Sequence, residues 1–126
     1  MIGVILLVDD DASVRRCLRR FLELEGYVVL EAEHGRAALH VVTCNPQIGL
    51  VLTDVDMPVM EGHALAAPIV SSRPELPIVL MSGDVAALES LARFGVPYLA
   101  KPFGPDELLA TIGARLDGWA LTPDPR

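Results

Sequence analysis

The sequence predicts an α/β domain built on a parallel sheet with helices on both faces. Short apolar runs rich in β-branched residues recur along the chain, as expected of strands buried on both faces. Between them lie segments whose apolar residues repeat at helical spacing. Several of the apolar runs stop at a charged or hydroxyl residue, the pattern of strands that open onto the carboxyl edge of a sheet. Five such strands alternating with five helices imply right-handed crossovers between parallel neighbours.

The first strand is Ile2 to Val8, and it ends in Asp9-Asp10-Asp11. A helix follows through Val14, Cys17, Leu18, Phe21 and Leu22, with Gly26 just past its end. This spacing places Cys17 on the buried stripe, and Arg15, Arg16, Arg19 and Arg20 on a solvated face. Asp11 reads as the cap of this helix. Tyr27 to Glu31 is the second strand and Gly35 to Thr43 the second helix, broken by Asn45-Pro46. The third strand, Ile48 to Thr53, ends at Asp54. His63 to Ser72 forms a weak third helix, which Pro68 is expected to kink or shorten. Ile78 to Met81 is the fourth strand, ending at Ser82, and Ser82-Gly83-Asp84 caps a fourth helix over Val85 to Arg93. Val96 to Ala100 is the fifth strand, ending at Lys101-Pro102. Gly104-Pro105-Asp106-Glu107 opens the last helix, with Leu108, Leu109, Ile112 and Leu116 as its apolar stripe. Residues 1–118 make the domain, and 119–126 a tail or the start of a linker.

The chain has 126 residues, enough for one self-sufficient core. A formal net charge of −7 argues against a nucleic-acid-binding surface. The opening apolar run is too short to span a membrane and lacks a basic leader, so a cytoplasmic setting is expected. Cys17 and Cys44 have no metal-ligand spacing, and His34, His40 and His63 are scattered and given no catalytic role.

A parallel sheet brings all its strand ends to one edge. Asp9, Asp10, Asp54, Ser82 and Lys101 therefore meet there. Crowded carboxylates raise one another's pKa unless a cation joins them. Mg²⁺ suits one or two carboxylates together with phosphate oxygens. A lysine and a hydroxyl complete the coat for a phosphoryl group, and a carboxylate such as Asp54 can attack phosphorus.

The segments Leu7-Val8-Asp9-Asp10-Asp11, Thr53 to Gly62, Met81-Ser82-Gly83 and Lys101-Pro102-Phe103, in that order and each at a strand end, resemble the CheY-like receiver domain of two-component response regulators. The resemblance runs from Ile2 to about Leu116. It implies a flavodoxin-like doubly wound sheet of order 2-1-3-4-5. It implies Asp54 as phosphoacceptor, and Mg²⁺ held by Asp9, Asp10, Asp54 and the backbone carbonyl of Asp56. Ser82 would bind a phosphoryl oxygen, Lys101 would pair with Asp54 or its phosphate, and Tyr98 would be the switch aromatic. The implied partner is a sensor histidine kinase or a histidine phosphotransfer protein. Homodimers through the face of the fourth helix, fifth strand and fifth helix are a further implication. The expected enzyme activity extends no further than the domain's own phosphorylation and dephosphorylation.

The chain departs from the family pattern at Pro68, at Gly83 where alanine is frequent, and in a short stretch from Ser82 to Lys101. Asp56 and Asp84 are acids at both positions that tune acyl-phosphate hydrolysis. The chain is expected to be either a stand-alone regulator or a receiver cut from a hybrid sensor kinase. The alternative is a Mg²⁺-dependent phosphatase of haloacid-dehalogenase type, since Asp54-Val55-Asp56 is also that family's D-x-D arrangement. In that family, however, the motif closes the first strand, whereas here it closes the third.

Overall fold

The computed structural model describes residues 3–55, 73–84, 86, 89 and 97–121, with side chains as far as residue 116. Strands β1 (Val4–Val8), β2 (Val28–Ala32), β3 (Leu50–Asp54), β4 (Ile78–Ser82) and β5 (Tyr98–Ala100) form one sheet in the order β2-β1-β3-β4-β5. Every neighbouring pair is parallel. The described helices are α1 (Ala12–Leu24), α2 (Gly35–Cys44) and α3 (Pro105–Leu121). Ala86 and Glu89, inside the expected fourth helix, are helical. The expected third helix, with Pro68 and His63, and most of the fourth lie outside the described residues.

Alternate residues of the apolar strands point to opposite faces, so the sheet has two cores. Ile5, Leu7, Leu50, Leu52, Val79 and Met81 pack with Leu22 of α1 and Leu108 and Ile112 of α3. Leu6, Val8, Val51, Ile78 and Leu80 pack on the other side with Ala38 and Val42 of α2. Two-sided burial explains why these strands read as unbroken apolar runs. Asp11 caps α1 as expected, accepting from the backbone N–H groups of Ser13 and Val14 at 2.8 and 3.3 Å. Gly26 follows with φ +97°, a conformation side chains resist. α3 continues to Leu121, reaching into the stretch read as tail.

Cys17 corrects the sequence reading, for it is exposed. Leu18, Phe21 and Leu22 meet the sheet, and Cys17 lies outside that stripe. Both cysteines are free, one on each helix that flanks the sheet from opposite sides.

The arginine row also differs from expectation. Arg16 and Arg20 are exposed, but Arg15 and Arg19 turn toward β2 and converge on Glu31. Arg15 Nε donates to Glu31 Oε1 at 3.1 Å, and Arg19 Nη1 donates to Glu31 Oε2. The Arg19 hydrogen bond, opposed by partial burial and reinforced by Arg15, holds the Glu31 carboxyl below its ordinary range. A depressed carboxyl pKa stabilises the fold above the unfolded glutamate value, and that stability is lost as pH falls through the folded value. Glu31→Gln should therefore cost about 1 kcal/mol at neutral pH, given the partial exposure. In urea titrations the deficit should shrink steadily as pH falls below about 4. A deficit independent of pH would show that the pair contributes packing and not charge.

Candidate functional site

Asp9, Asp10, Asp54 and Lys101 come together at one sheet edge, and Ser82 ends β4 at the same edge. β1 and β3 are neighbours in register, Val8 beside Thr53, so Asp9 and Asp54 leave adjacent strand ends. Single ligand atoms of Asp9, Asp10 and Asp54 all lie within 4.8 Å of one another. Asp9 and Asp54 are buried, at 1% and 5% exposure, while Asp10 is exposed at the mouth. Such hard oxygen donors fit Mg²⁺, with the open side at Asp10 left for water and a ligand.

Lys101 reaches these acids from the end of β5. Its Nζ lies 3.3 Å from Asp54 Oδ2 and 3.4 Å from Asp9 Oδ2. Burial pulls the ammonium's pKa down, but the charges of Asp54 and Asp9 and hydrogen bonds to both more than offset it. The net shift is upward. This pairing stabilises the fold below the ordinary lysine pKa and fades as pH rises through the raised value. Among the described residues, Lys101 is thus the cation set against both buried carboxylates, and a divalent ion would offset the remaining charge.

Asp9 is held by every polar group it carries. Its N–H donates to the Ala32 carbonyl at 3.2 Å, and its Oδ1 accepts from the Asp11 N–H at 2.9 Å. Its carbonyl accepts from Arg15 Nη1 at 2.6 Å, and Oδ2 faces Lys101. Ser82 is fully buried and joins β4 to both neighbouring segments. Its carbonyl accepts from the Lys101 N–H at 2.8 Å, and its Oγ accepts from the Asp84 N–H at 2.9 Å. Asp84 Oδ1 in turn accepts from the Ala86 N–H at 3.0 Å. Tyr98 is exposed on β5, outside the core. Asp56 lies outside the described residues.

Arg15 is the site neighbour that sequence reasoning missed. Its signal was Glu31, a lone charge on an apolar strand, facing an i,i+4 arginine pair on the preceding helix. His34 was also passed over. Its Nδ1 accepts from the Ala37 N–H at 3.1 Å and caps α2.

The family model of the response regulator receiver domain matches residues 5–113. The chain belongs to the response regulator receiver family. It is 38% identical to the response regulator MprA of Mycolicibacterium vanbaalenii over 95% of this chain and 52% of that protein. The chain thus spans about half the length of that curated relative. A receiver domain structure from Clostridium thermocellum matches with TM-score 0.88 and 26% identity, covering 95% of this chain and 98% of that one. The response regulator TrrA of Thermotoga maritima, solved in complex with Mg²⁺-BeF, matches with TM-score 0.84 and 29% identity, covering 91% and 100%. This is therefore a receiver domain of two-component signalling, with a flavodoxin-like sheet of the expected order. Membership removes the phosphatase alternative, whose D-x-D motif would have to close the first strand; here Asp54 closes β3. No helix among the described residues is long and apolar enough to cross a membrane.

Proposed function

We propose that this receiver is a phosphorylation-dependent switch that takes a phosphoryl group onto Asp54. The observation that carries the reading is the junction of Asp9, Asp10 and Asp54 with Lys101 at one sheet edge. The donor would be phosphohistidine on a sensor kinase or a phosphotransfer protein. A carboxylate oxygen of Asp54 bonds to phosphorus as the bond from phosphorus to the imidazole nitrogen breaks. The nitrogen keeps the electron pair and takes up a proton, and an acyl phosphate remains.

Asp9, Asp10, Asp54 and the Asp56 carbonyl would hold Mg²⁺, which when bound neutralises charge on the phosphoryl oxygens. The Mg²⁺-BeF complex of the related TrrA supports this choice of metal. Lys101 sits within reach of both buried acids and would follow the charge onto the phosphate. Ser82 would rotate its hydroxyl to a phosphoryl oxygen, and Tyr98 would turn inward from its exposed position. Because Ser82 and Lys101 are joined through the backbone, that motion would be felt on β5 and the homodimer face beside it. We place this activity in the cytoplasm, with no direct nucleic-acid contact by this domain and no membrane insertion. The domain, residues 1–118, would act as a stand-alone regulator or within a longer protein such as a hybrid kinase.

Acetyl phosphate labelling followed by intact mass tests the reading. One phosphoryl group should appear with Mg²⁺ and none after chelation. Labelling that ignores Mg²⁺ would overturn it.

Asp84, with Asp56, is proposed to tune the lifetime of the acyl phosphate. An acid at the mouth repels the added phosphoryl charge. Asp84→Ala should therefore lengthen the lifetime by at least about twofold, a barrier change of roughly 0.4 kcal/mol. An unchanged decay rate after removal of excess donor would discard the role.

A further inference from the structure

We infer that Arg15 is a positioning residue for the metal-binding acids, acting through the peptide carbonyl of Asp9. The inference rests on the proposed Mg²⁺ site. Arg15 Nη1 donates to the Asp9 carbonyl at 2.6 Å, and this carbonyl belongs to the peptide bond joining Asp9 to Asp10. The other edge of the guanidinium is fixed by Glu31 Oε1 at 3.1 Å, and Glu31 is held from its second oxygen by Arg19. Arg19 is tied in turn to Glu23 at 3.1 Å. A chain of charged hydrogen bonds thus runs from α1 across β2 to the acid loop.

The geometry of Asp9 shows what the clamp is for. Its side chain is already fixed by the Asp11 N–H and by Lys101. Asp10 is different, being exposed, and its direction depends on the rotation of the preceding peptide. Arg15 fixes that rotation. A planar guanidinium can hold a carbonyl and a carboxylate at once, which an ammonium cannot do with the same geometry. Partners that orient metal ligands contribute about 10-fold to 100-fold in metal affinity.

Positioning and plain electrostatics predict opposite signs. Arg15 is a cation beside a cation site, so removing its charge alone should strengthen Mg²⁺ binding. Removing a clamp should weaken it. Arg15→Met keeps the aliphatic stem and loses both hydrogen bonds. We expect its Mg²⁺ dissociation constant, measured by calorimetry on the full chain, to rise about 10-fold. Arg15→Lys, which keeps the charge, should rise as well, by a smaller factor. Arg16→Met removes an equal charge from the exposed face of α1 and should bind no more weakly than the native chain.

Melting curves in EDTA separate the clamp from a general loss of structure. A Mg²⁺ affinity for Arg15→Met equal to or tighter than native would overturn the inference. So would a loss matched in Arg16→Met, or one explained by unfolding of the metal-free variant. Should the native chain itself fail to bind Mg²⁺, the proposed metal site falls, and this inference with it. Native binding with an unaffected Arg15→Met overturns the clamp alone.

Discussion

Asp54→Asn is expected to abolish labelling by acetyl phosphate and, without metal, to make the fold more stable. The first effect is chemical. The amide oxygen carries no full charge and cannot yield the acyl phosphate, so labelling should fall to the background of denatured protein. The second effect follows from counting charges. Ligand atoms of Asp9, Asp10 and Asp54 crowd within 4.8 Å, and Lys101 faces Asp9 and Asp54. Removing the Asp54 charge removes its repulsion from Asp9 and Asp10 and its attraction to Lys101. At an effective dielectric near 20 each such pair is worth about 4 kcal/mol gross, much of it screened at the open mouth. A net gain of about 1 kcal/mol in metal-free stability is the outcome. The stabilisation that Mg²⁺ confers should shrink in parallel, because a ligand is gone. Labelling of Asp54→Asn equal to the native chain would sink the site assignment. A lower metal-free melting temperature would show that the Lys101 pairing outweighs the repulsion.

The strand ends were legible in the sequence because burial on two faces leaves no ambiguity. Ile5 to Val8 and Leu50 to Leu52 offer no polar face, so the first charged residue after each run, Asp9 and Asp54, had to stand at the sheet edge. That placed Asp9, Asp54, Ser82 and Lys101 without any knowledge of contacts. The helix α1 was legible as an element, and Leu18, Phe21 and Leu22 face the sheet as the periodicity implies. Cys17 sits at the edge of that stripe, where periodicity alone counts it inside although it is exposed. Arg15 was misread for a related reason. An arginine has a long apolar stem and a charged head, so it can lie half-buried where a helical wheel shows only a polar face. Its partner Glu31 lies sixteen positions away, on a strand whose pairing with α1 only the fold reveals.

Lys101→Met should destabilise the metal-free domain and make it depend on Mg²⁺ for stability. Asp9 and Asp54 are buried at 1% and 5% exposure, and Lys101 is the cation that faces both. Breaking a fully buried ion pair by removing one partner costs about 3 to 5 kcal/mol. Lys101 itself remains partly open to water, so about 2 kcal/mol is the expected loss near neutral pH. The sign with pH follows from which groups remain. Without the ammonium, the charges of Asp9 and Asp54 repel with no lysine between them. On the alkaline side the native chain loses its advantage as Lys101 deprotonates, at a pH above lysine's ordinary value because its pKa is raised. Mg²⁺ should restore the variant more than it helps the native chain, since it replaces the missing charge. It cannot replace the lysine's reach to the phosphate. Phosphorylation by acetyl phosphate should therefore stay depressed even at saturating Mg²⁺, by about 10²-fold if Lys101 acts as a preorganised donor in the transition state. Thermal melts across pH, with and without Mg²⁺, separate these effects. A variant as stable as the native chain without metal would mean that solvent already screens the buried acids. Full labelling at saturating Mg²⁺ would remove Lys101 from the chemistry and leave it a structural counter-ion.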